Sequence, residues 1–423
     1  MTKITRDSKS NNDIGRDSWM NIREQRTSDV AAAASGTGVT AFEVVSRNRK
    51  VLTLADGTTC TEFISCSYLG LETNPKLVNA AQSALERIGI HLSASRSAMS
   101  PSYLRELEQL LSDIYAGCSI TVFTSTSNVH LGVLPLLGSG RMEGYPTKRS
   151  VQWLVDRTAH ASMQVLRGVM SQFGAVDRID TRDLTALKAM LAKCVRDHTT
   201  PVLLIDGVGS MSGLLPVNEL SDLLANAGGY LYVDDAHGIS ITGRHGAGYA
   251  FEALGHSLRS NTLIAGSLSK AFGGAGGFVV LNKDYNSAQL RALANPLVFG
   301  HTVSVPLLAA NVASARLHLS SDIVELQSAL WANVRRFDGH MVHKLMNASL
   351  PAPIRGALFR TEKQGVAAAS NLRAAGLVVF PVFYPIVETG KAMLRFAFSS
   401  LHTPKQIDAL AHQITAQLYQ AEP

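Results

Sequence analysis

The 423-residue chain has only four cysteines, Cys60, Cys66, Cys118 and Cys194, and no two of them form a Cys-x-x-Cys pair. That scarcity argues against a zinc site and fits a reduced, cytoplasmic compartment. Long apolar runs are also missing, and Ala31-Ala32-Ala33-Ala34 falls far short of a bilayer span. The segment from Met1 to about Asp29 is polar and charged, so it does not read as a signal peptide, and no membrane attachment is expected. There is no long Lys/Arg run, although the net charge is +6. Such a balance favours anionic ligands such as phosphates, nucleotides or an acidic carrier protein. Nucleic acid is not expected, because neither a basic helix nor an aromatic platform accompanies the charge. No Gly-x-Gly-x-x-Gly opens a helix, which disfavours a dinucleotide-binding oxidoreductase. Internal repeats and low-complexity tracts are absent. What is present is 46% hydrophobic residues against 17% charged ones, enough for a sizeable core.

Patterning along the chain alternates between strand and helix. Short apolar runs at Ile120–Phe123, Val151–Val155, Val202–Ile205, Tyr230–Val233, Thr262–Ala265 and Phe278–Leu281 read as strands buried on both faces. Helical spacing appears over 74–89, 103–115, 183–196, 218–227 and 322–346. Strands are expected around the Asp56-Gly57 turn, near 377–383 and near 393–398, with helices over 363–375 and after Pro404. The pattern predicts an α/β fold with a mostly parallel sheet and a smaller α+β C-terminal domain. The expected divisions are 1–60, a leader with a small-domain segment; 61–305, the large domain; and 306–423, the small domain. Residues 1–40 are expected to be a mobile leader with a short helix.

Polar residues stand where these strands end, the edge at which parallel sheets collect ligands. Asp234 and His237 follow one strand, Asp206 and Ser210 another, and Asp156 and His160 a third. Ser267 and Lys270 follow a fourth, and Ser125 and Thr126 a fifth. Each has an ordinary structural reading. A lone lysine near glycines is usually on the surface, Asp-Asp after a strand is often a helix cap, and an isolated histidine is usually a satisfied structural one. Together they fit one chemistry. A neutral lysine can attack an aldehyde cofactor, and an aspartate can keep a pyridine nitrogen protonated. Histidines and a serine can stack on the ring or bond its phenolic oxygen, and hydroxyls at a helix start can hold a phosphate. These groups point to pyridoxal 5′-phosphate (PLP).

The order of the motifs resembles the α-oxoamine synthase family of PLP-dependent fold-type I enzymes, related to the class II aminotransferases. The likeness runs from about Ser67 to Thr403. It comprises Ser67-Tyr68-Leu69-Gly70-Leu71, Asp156 through His160-Ala161-Ser162, Asp206-Gly207 through Ser210-Met211-Ser212-Gly213, Asp234-Asp235-Ala236-His237, Ser267-Leu268-Ser269-Lys270, and Arg395 before His402-Thr403. The resemblance implies a fold-type I seven-stranded sheet. It makes Lys270 the Schiff-base lysine that also moves the α-proton, Asp234 the partner of the pyridine nitrogen and His160 the residue over the ring. His237 and Ser210 would contact the phenolic oxygen. Ser125, Thr126 and Ser267 would hold the phosphate. Arg395 and Ser67 would bind the amino acid. It further implies a homodimer with shared active sites, in which Thr302 reaches the partner's phosphate.

Ser67 stands where the family has asparagine, and Met393 replaces the first arginine of an Arg-x-Arg pair. Ser125-Thr126 stands for a Ser-Gly turn, and Ser100-Pro101 lies near a missing Gly-Thr, where the chain is partly similar to bacterial quorum-sensing α-aminoketone synthases. The expected activity is that of an acyltransferase. It condenses an α-amino acid with an acyl thioester of coenzyme A or an acyl carrier protein, usually with decarboxylation, to give an α-amino ketone. The alternative is a PLP-dependent aminotransferase or C–C lyase; a non-catalytic binding protein on the same fold is disfavoured by Lys270 and Asp234. The sequence names neither the amino acid nor the acyl chain.

Overall fold

The apolar runs of the middle of the chain form a seven-stranded sheet: β1 (Ser119–Phe123), β2 (Val151–Asp156), β3 (Val176–Ile179), β4 (Thr200–Asp206), β5 (Tyr230–Asp234), β6 (Thr262–Ser267) and β7 (Gly277–Leu281). The structure is a computed structural model and describes residues 38–148, 150–342, 345–384 and 387–421. The expected leader helix and the Ala31–Ala34 run lie outside the described residues. The sheet order is β1-β7-β6-β5-β4-β2-β3. Strand β7 runs antiparallel to both its neighbours, whereas β6, β5, β4, β2 and β3 are mutually parallel. The sheet is therefore mixed rather than uniformly parallel.

Alternation along the strands sends successive side chains to opposite faces. Leu203, Ile205, Leu231, Val233 and Ile264 join one core. Val202, Leu204, Tyr230, Tyr232, Leu263 and Ala265 join the other. Helices α1 (Pro75–Ile88), α2 (Ser102–Ile114), α3 (Thr126–Gly138), α4 (Leu184–Arg196) and α5 (Val217–Asn226) are interspersed with the strands. Leu104, Leu107 and Leu111 of α2, with Leu220 and Leu224 of α5, cover the first face. Val129, Val133, Leu134 and Leu137 of α3 cover the second. Starts are set by local chemistry. Asn74 caps α1 ahead of Pro75, and the Asp183 carboxylate accepts from the Ala186 amide at 2.9 Å.

Helix α6 (Val305–His318) was not expected from the periodicity. It is buried on nearly every side, from Val305 through Leu308, Ala309, Asn311, Ser314 and His318, so it carries no polar face for a pattern to reveal. It packs on α1 through Val305, Ala309 and Ala84. That packing draws the chain beyond residue 305 into the large unit, which comprises Ser65–Arg355 and Ala397–Ala411. Helix α7 (Asp322–His340) follows and ends short of the expected residue 346.

The second unit comprises Met1–Ile64, Gly356–Phe396 and His412–Pro423. In it, strands Val44–Asn48, Val51–Leu54 and Thr59–Glu62 form an antiparallel meander, with Leu377–Val378 added in parallel. Gly57 takes φ 81° at the tight turn, where the Asp56 carboxylate accepts from the Thr58 amide at 2.9 Å. Lys50 and Glu62 form a buried ion pair at 2.6 Å. A capping box of Thr361 and Gln364 starts the helix Glu362–Ala374. Among the described residues, no helix is long and apolar enough to cross a membrane. No cluster of His, Cys, Asp or Glu suited to a metal ion occurs among them either.

Candidate active site

Three hydroxyl residues meet at one corner of the sheet. Ser125 caps α3, its Oγ accepting from the Asn128 amide at 3.2 Å. The Thr126 hydroxyl donates to the Gly266 carbonyl at 3.3 Å, beside Ser267. Ser267 is in register with Gly277, and Gly277 with Phe123, so the first residue of β7 lies between the two hydroxyl-bearing strand ends. A Cβ at Gly277 would come within 2.5 Å of the Thr126 nitrogen, so glycine is what lets the N-terminus of α3 seat on β7. The buried Ser267 Oγ accepts from the Ser269 amide at 3.2 Å. A helix start with hydroxyls at its edge suits a phosphate.

Arg96 braces this corner from below. Its guanidinium donates to the Val122 carbonyl at 2.8 Å, while Glu108 accepts from the Val122 amide at 3.0 Å. Burial lowers the Arg96 pKa, and Glu108 opposes that shift.

The carboxylates are arranged across β4 and β5. Asp234 and Asp206 are in register on these neighbouring strands. Burial alone would raise the Asp234 pKa. The hydrogen bond and charge of His130, the charge of Lys270 and the Ala236 amide outweigh it and hold the group at about 2. Burial and the nearby Asp234 charge push Asp206 well above the usual carboxylate range, although the His160 amide donates to its Oδ1 at 3.0 Å. The two neighbouring carboxylates are thus pushed in opposite directions, Asp234 down and Asp206 up. Asp235 faces the other way. It is fully buried, accepts from the Ala250 amide at 2.9 Å and is raised by desolvation. Gly207, Gly238 and Gly248 crowd it closely, each leaving less than 3.0 Å between a would-be Cβ and the carboxylate. It is a structural anchor. Asp156 is another, with its carboxylate tied to the amides and hydroxyls of Thr158 and Thr181.

His160 lies after β2 with its Nδ1 2.7 Å from the Ser162 hydroxyl. One side of the residue is exposed, yet surrounding protein desolvates the ring and lowers its pKa; Asp234 counters this and Lys270 reinforces it. His237 is buried, with Nδ1 2.7 Å from the Tyr68 hydroxyl. Lys270, half-buried after β6, contributes charge to Asp234, Asp206 and His160 alike. Ser210 is half-buried just beyond the Val208–Gly209 bridge, and Thr302 is half-buried between His301 and Val303. Ser67 is buried and its hydroxyl donates to the Glu72 carboxylate, which commits its one proton and leaves its oxygen able to accept. Arg395 is on the strand Ala392–Ala397 of the smaller unit, opposite Phe380.

The residue that pattern reading missed is His130. It sits on α3, fully buried, with Nε2 3.1 Å from Asp234 Oδ2 and Nδ1 2.9 Å from the Tyr232 hydroxyl. The only hint in the sequence was a polar residue within an apolar helix, four positions after Thr126 and one after the buried Val129.

The donor set fits PLP. An ionised, buried carboxylate suits a protonated ring nitrogen, a helix start with hydroxyls suits a phosphate, and a lysine on the same rim suits the aldehyde.

Residues 65–414 match the family "Aminotransferase class I and II". The chain is 31% identical to 8-amino-7-oxononanoate synthase of Maricaulis maris over 371 residues, covering 87% of this chain and 89% of that one. It is 28% identical to the same enzyme of Methylococcus capsulatus, covering 87% and 91%. Its fold is similar to that of Sphingomonas wittichii serine palmitoyltransferase, with a TM-score of 0.81, 22% identity and coverage of 96% and 98%. The TM-score is 0.66 against 8-amino-7-oxononanoate synthase of Francisella tularensis, with 19% identity and coverage of 85% and 98%. The chain therefore belongs to the aminotransferase class I and II family, and within it to the α-oxoamine synthases, PLP-dependent enzymes of fold type I.

Proposed function

We propose that this enzyme joins the α-carbon of an amino acid to the acyl carbon of a thioester, carried by coenzyme A or an acyl carrier protein. The thiol leaves, the amino-acid carboxylate departs as carbon dioxide, and an α-amino ketone is released. The observation that carries the reading is the pairing of an ionised Asp234 with Lys270 on one strand-end rim, in a chain of this family. Bound there, PLP supplies an electron sink for charge that develops at the amino acid's α-carbon.

Lys270 would hold the cofactor's aldehyde through its amine and would move the α-proton of the amino acid. Asp234 keeps the ring nitrogen protonated. Asp206, its carboxyl pushed upward by burial and by the Asp234 charge, fixes the His160 loop through the backbone amide. His160 covers the ring face, and its lowered pKa keeps the imidazole neutral at neutral pH. His237, oriented by Tyr68, and Ser210 serve the phenolic oxygen. Ser125, Thr126 and Ser267 hold the phosphate, and Arg395 takes the amino-acid carboxylate.

The active protein is a homodimer with shared active sites, and Thr302 serves the partner's phosphate. Support comes from exposed apolar side chains near that residue: Phe299 is 84% exposed, Ile90 63% and Met99 54%. His301 and Val305 tie the two segments together through the Ala94 and Ile90 carbonyls, at 3.1 and 2.9 Å.

The test is to load the purified protein with PLP and present amino acids with acyl thioesters, measuring thiol release and carbon dioxide. Amino-acid-dependent thiol release without a keto acid is the expected result. Amino-group exchange with a keto acid, and no thiol release with any pair, would overturn the reading in favour of an aminotransferase.

A further inference from the structure

Tyr232 and Asp234 are two residues apart on β5, so their side chains project from the same face of the sheet. Helix α3 covers that face and inserts His130 between them. The three side chains are almost wholly buried: His130 and Tyr232 are 0% exposed and Asp234 5%. The His130 and Tyr232 rings meet edge-to-face, with centroids 5.6 Å apart.

The hydrogen-bond inventory fixes the direction at the carboxylate. An ionised carboxylate only accepts, so His130 Nε2 carries a proton and donates it to Asp234 Oδ2. Nδ1 lies 2.9 Å from the Tyr232 hydroxyl, which donates to it when the ring is neutral and accepts from it when the ring is charged. The other oxygen, Oδ1, takes the Ala236 amide at 3.0 Å. The carboxylate is therefore gripped at both oxygens by donors from two different elements, which fixes its plane while leaving acceptor capacity for a further proton donor.

We propose that Tyr232, His130 and Asp234 form a hydrogen-bond relay in which His130 is a positioning residue, fixing the orientation and charge of Asp234 toward the cofactor's ring nitrogen. The inference rests on the PLP reading above. Other charged or titratable groups also bear on Asp234: Asp206 on β4, Asp235 beside it, Lys270 after β6 and His160 after β2. Lys270 acts in the same sense as His130, whereas Asp206 and Asp235 would oppose a second negative charge. His130 donates directly to the carboxylate from within the core. A buried, desolvated bond of this kind is stronger than its solvent-exposed counterpart.

The test uses full-length protein loaded with PLP, comparing wild type with His130→Gln, His130→Leu and Tyr232→Phe. Glutamine places an N–H near the position of Nε2; leucine donates nothing. Three readouts are taken: PLP dissociation constant, the pH midpoint of the visible absorption band, and the thermal midpoint of the cofactor-free protein. His130→Leu should weaken PLP binding about tenfold, the scale of one charge-assisted hydrogen bond, and displace the band's pH midpoint by roughly half a unit or more. His130→Gln should restore most of both. Tyr232→Phe should move the band's midpoint in the same direction by less.

Thermal midpoints that fall while PLP affinity and the band's pH midpoint stay at wild-type values would overturn the relay and leave His130 as packing. If His130→Leu does not fold, His130→Gln and Tyr232→Phe decide: a wild-type band midpoint in both refutes the relay. Wild-type protein that takes up no PLP would instead refute the cofactor reading itself.

Discussion

Asp206 and Asp234 stand in register on adjacent parallel strands, and their surroundings push the two carboxyl pKa values in opposite directions. Two carboxylates this close cannot both ionise cheaply in a desolvated rim, and the donors decide which one does. Among the described residues, Asp234 accepts from His130 and the Ala236 amide, and Asp206 from the His160 amide.

That asymmetry predicts the effect of Asp206→Asn. The folded pKa of Asp206 is raised, so the native state keeps a proton that the unfolded chain releases above about pH 4. Stability is thus lost as pH rises from there through the folded value. Asparagine still accepts from the His160 amide but carries no titration. Its thermal midpoint in cofactor-free protein should exceed wild type by roughly 2–4 °C at pH 8 and match it near pH 4. Equal midpoints at pH 8 would show that Asp206 is not held neutral.

Lys270→Ala should retain the fold and bind PLP without covalent attachment. Borohydride reduction followed by peptide mapping should label the Lys270 peptide in wild type and no peptide in the variant. Label elsewhere in wild type would remove Lys270 from its role.

Arg395→Ala should raise the amino-acid dissociation constant by roughly tenfold or more, the cost of losing a charge-assisted pair with a carboxylate. The visible band of the PLP-loaded protein should be unchanged before amino acid is added. An unaltered amino-acid affinity refutes the assignment.

Tyr68→Phe removes the hydroxyl 2.7 Å from His237 Nδ1 and leaves that buried nitrogen without this partner. The expected cost is about 1 kcal/mol in thermal or denaturant stability, together with a several-fold weaker PLP affinity. Denaturant titration and cofactor titration check the two parts separately. Unchanged PLP affinity would reduce the Tyr68–His237 bond to a structural one.

The cofactor machinery was legible because each of its parts sits next to a strong local signal. Asp234, Lys270, Ser125 and His160 all follow short β-rich runs, and parallel strands end on one edge, so linear order translates into a common rim. Helix α6 was illegible for the opposite reason: buried on nearly every side, it has no amphipathic period. Ser67 shows a different limit. Its motif gave no sign of the bond that its hydroxyl donates to Glu72, five positions on.

What the sequence determined by itself was the alternation of strands and helices, the residue types at the strand ends and hence the family chemistry, all of which are encoded within short windows. Only the tertiary structure decided which aspartate is ionised. That depends on His130 reaching Asp234 across 104 positions and on Asp206 lying beside it without such a donor. Burial and hydrogen bonding set the charge of a carboxylate, and both are properties of the packed sheet and helix rather than of the chain's local sequence.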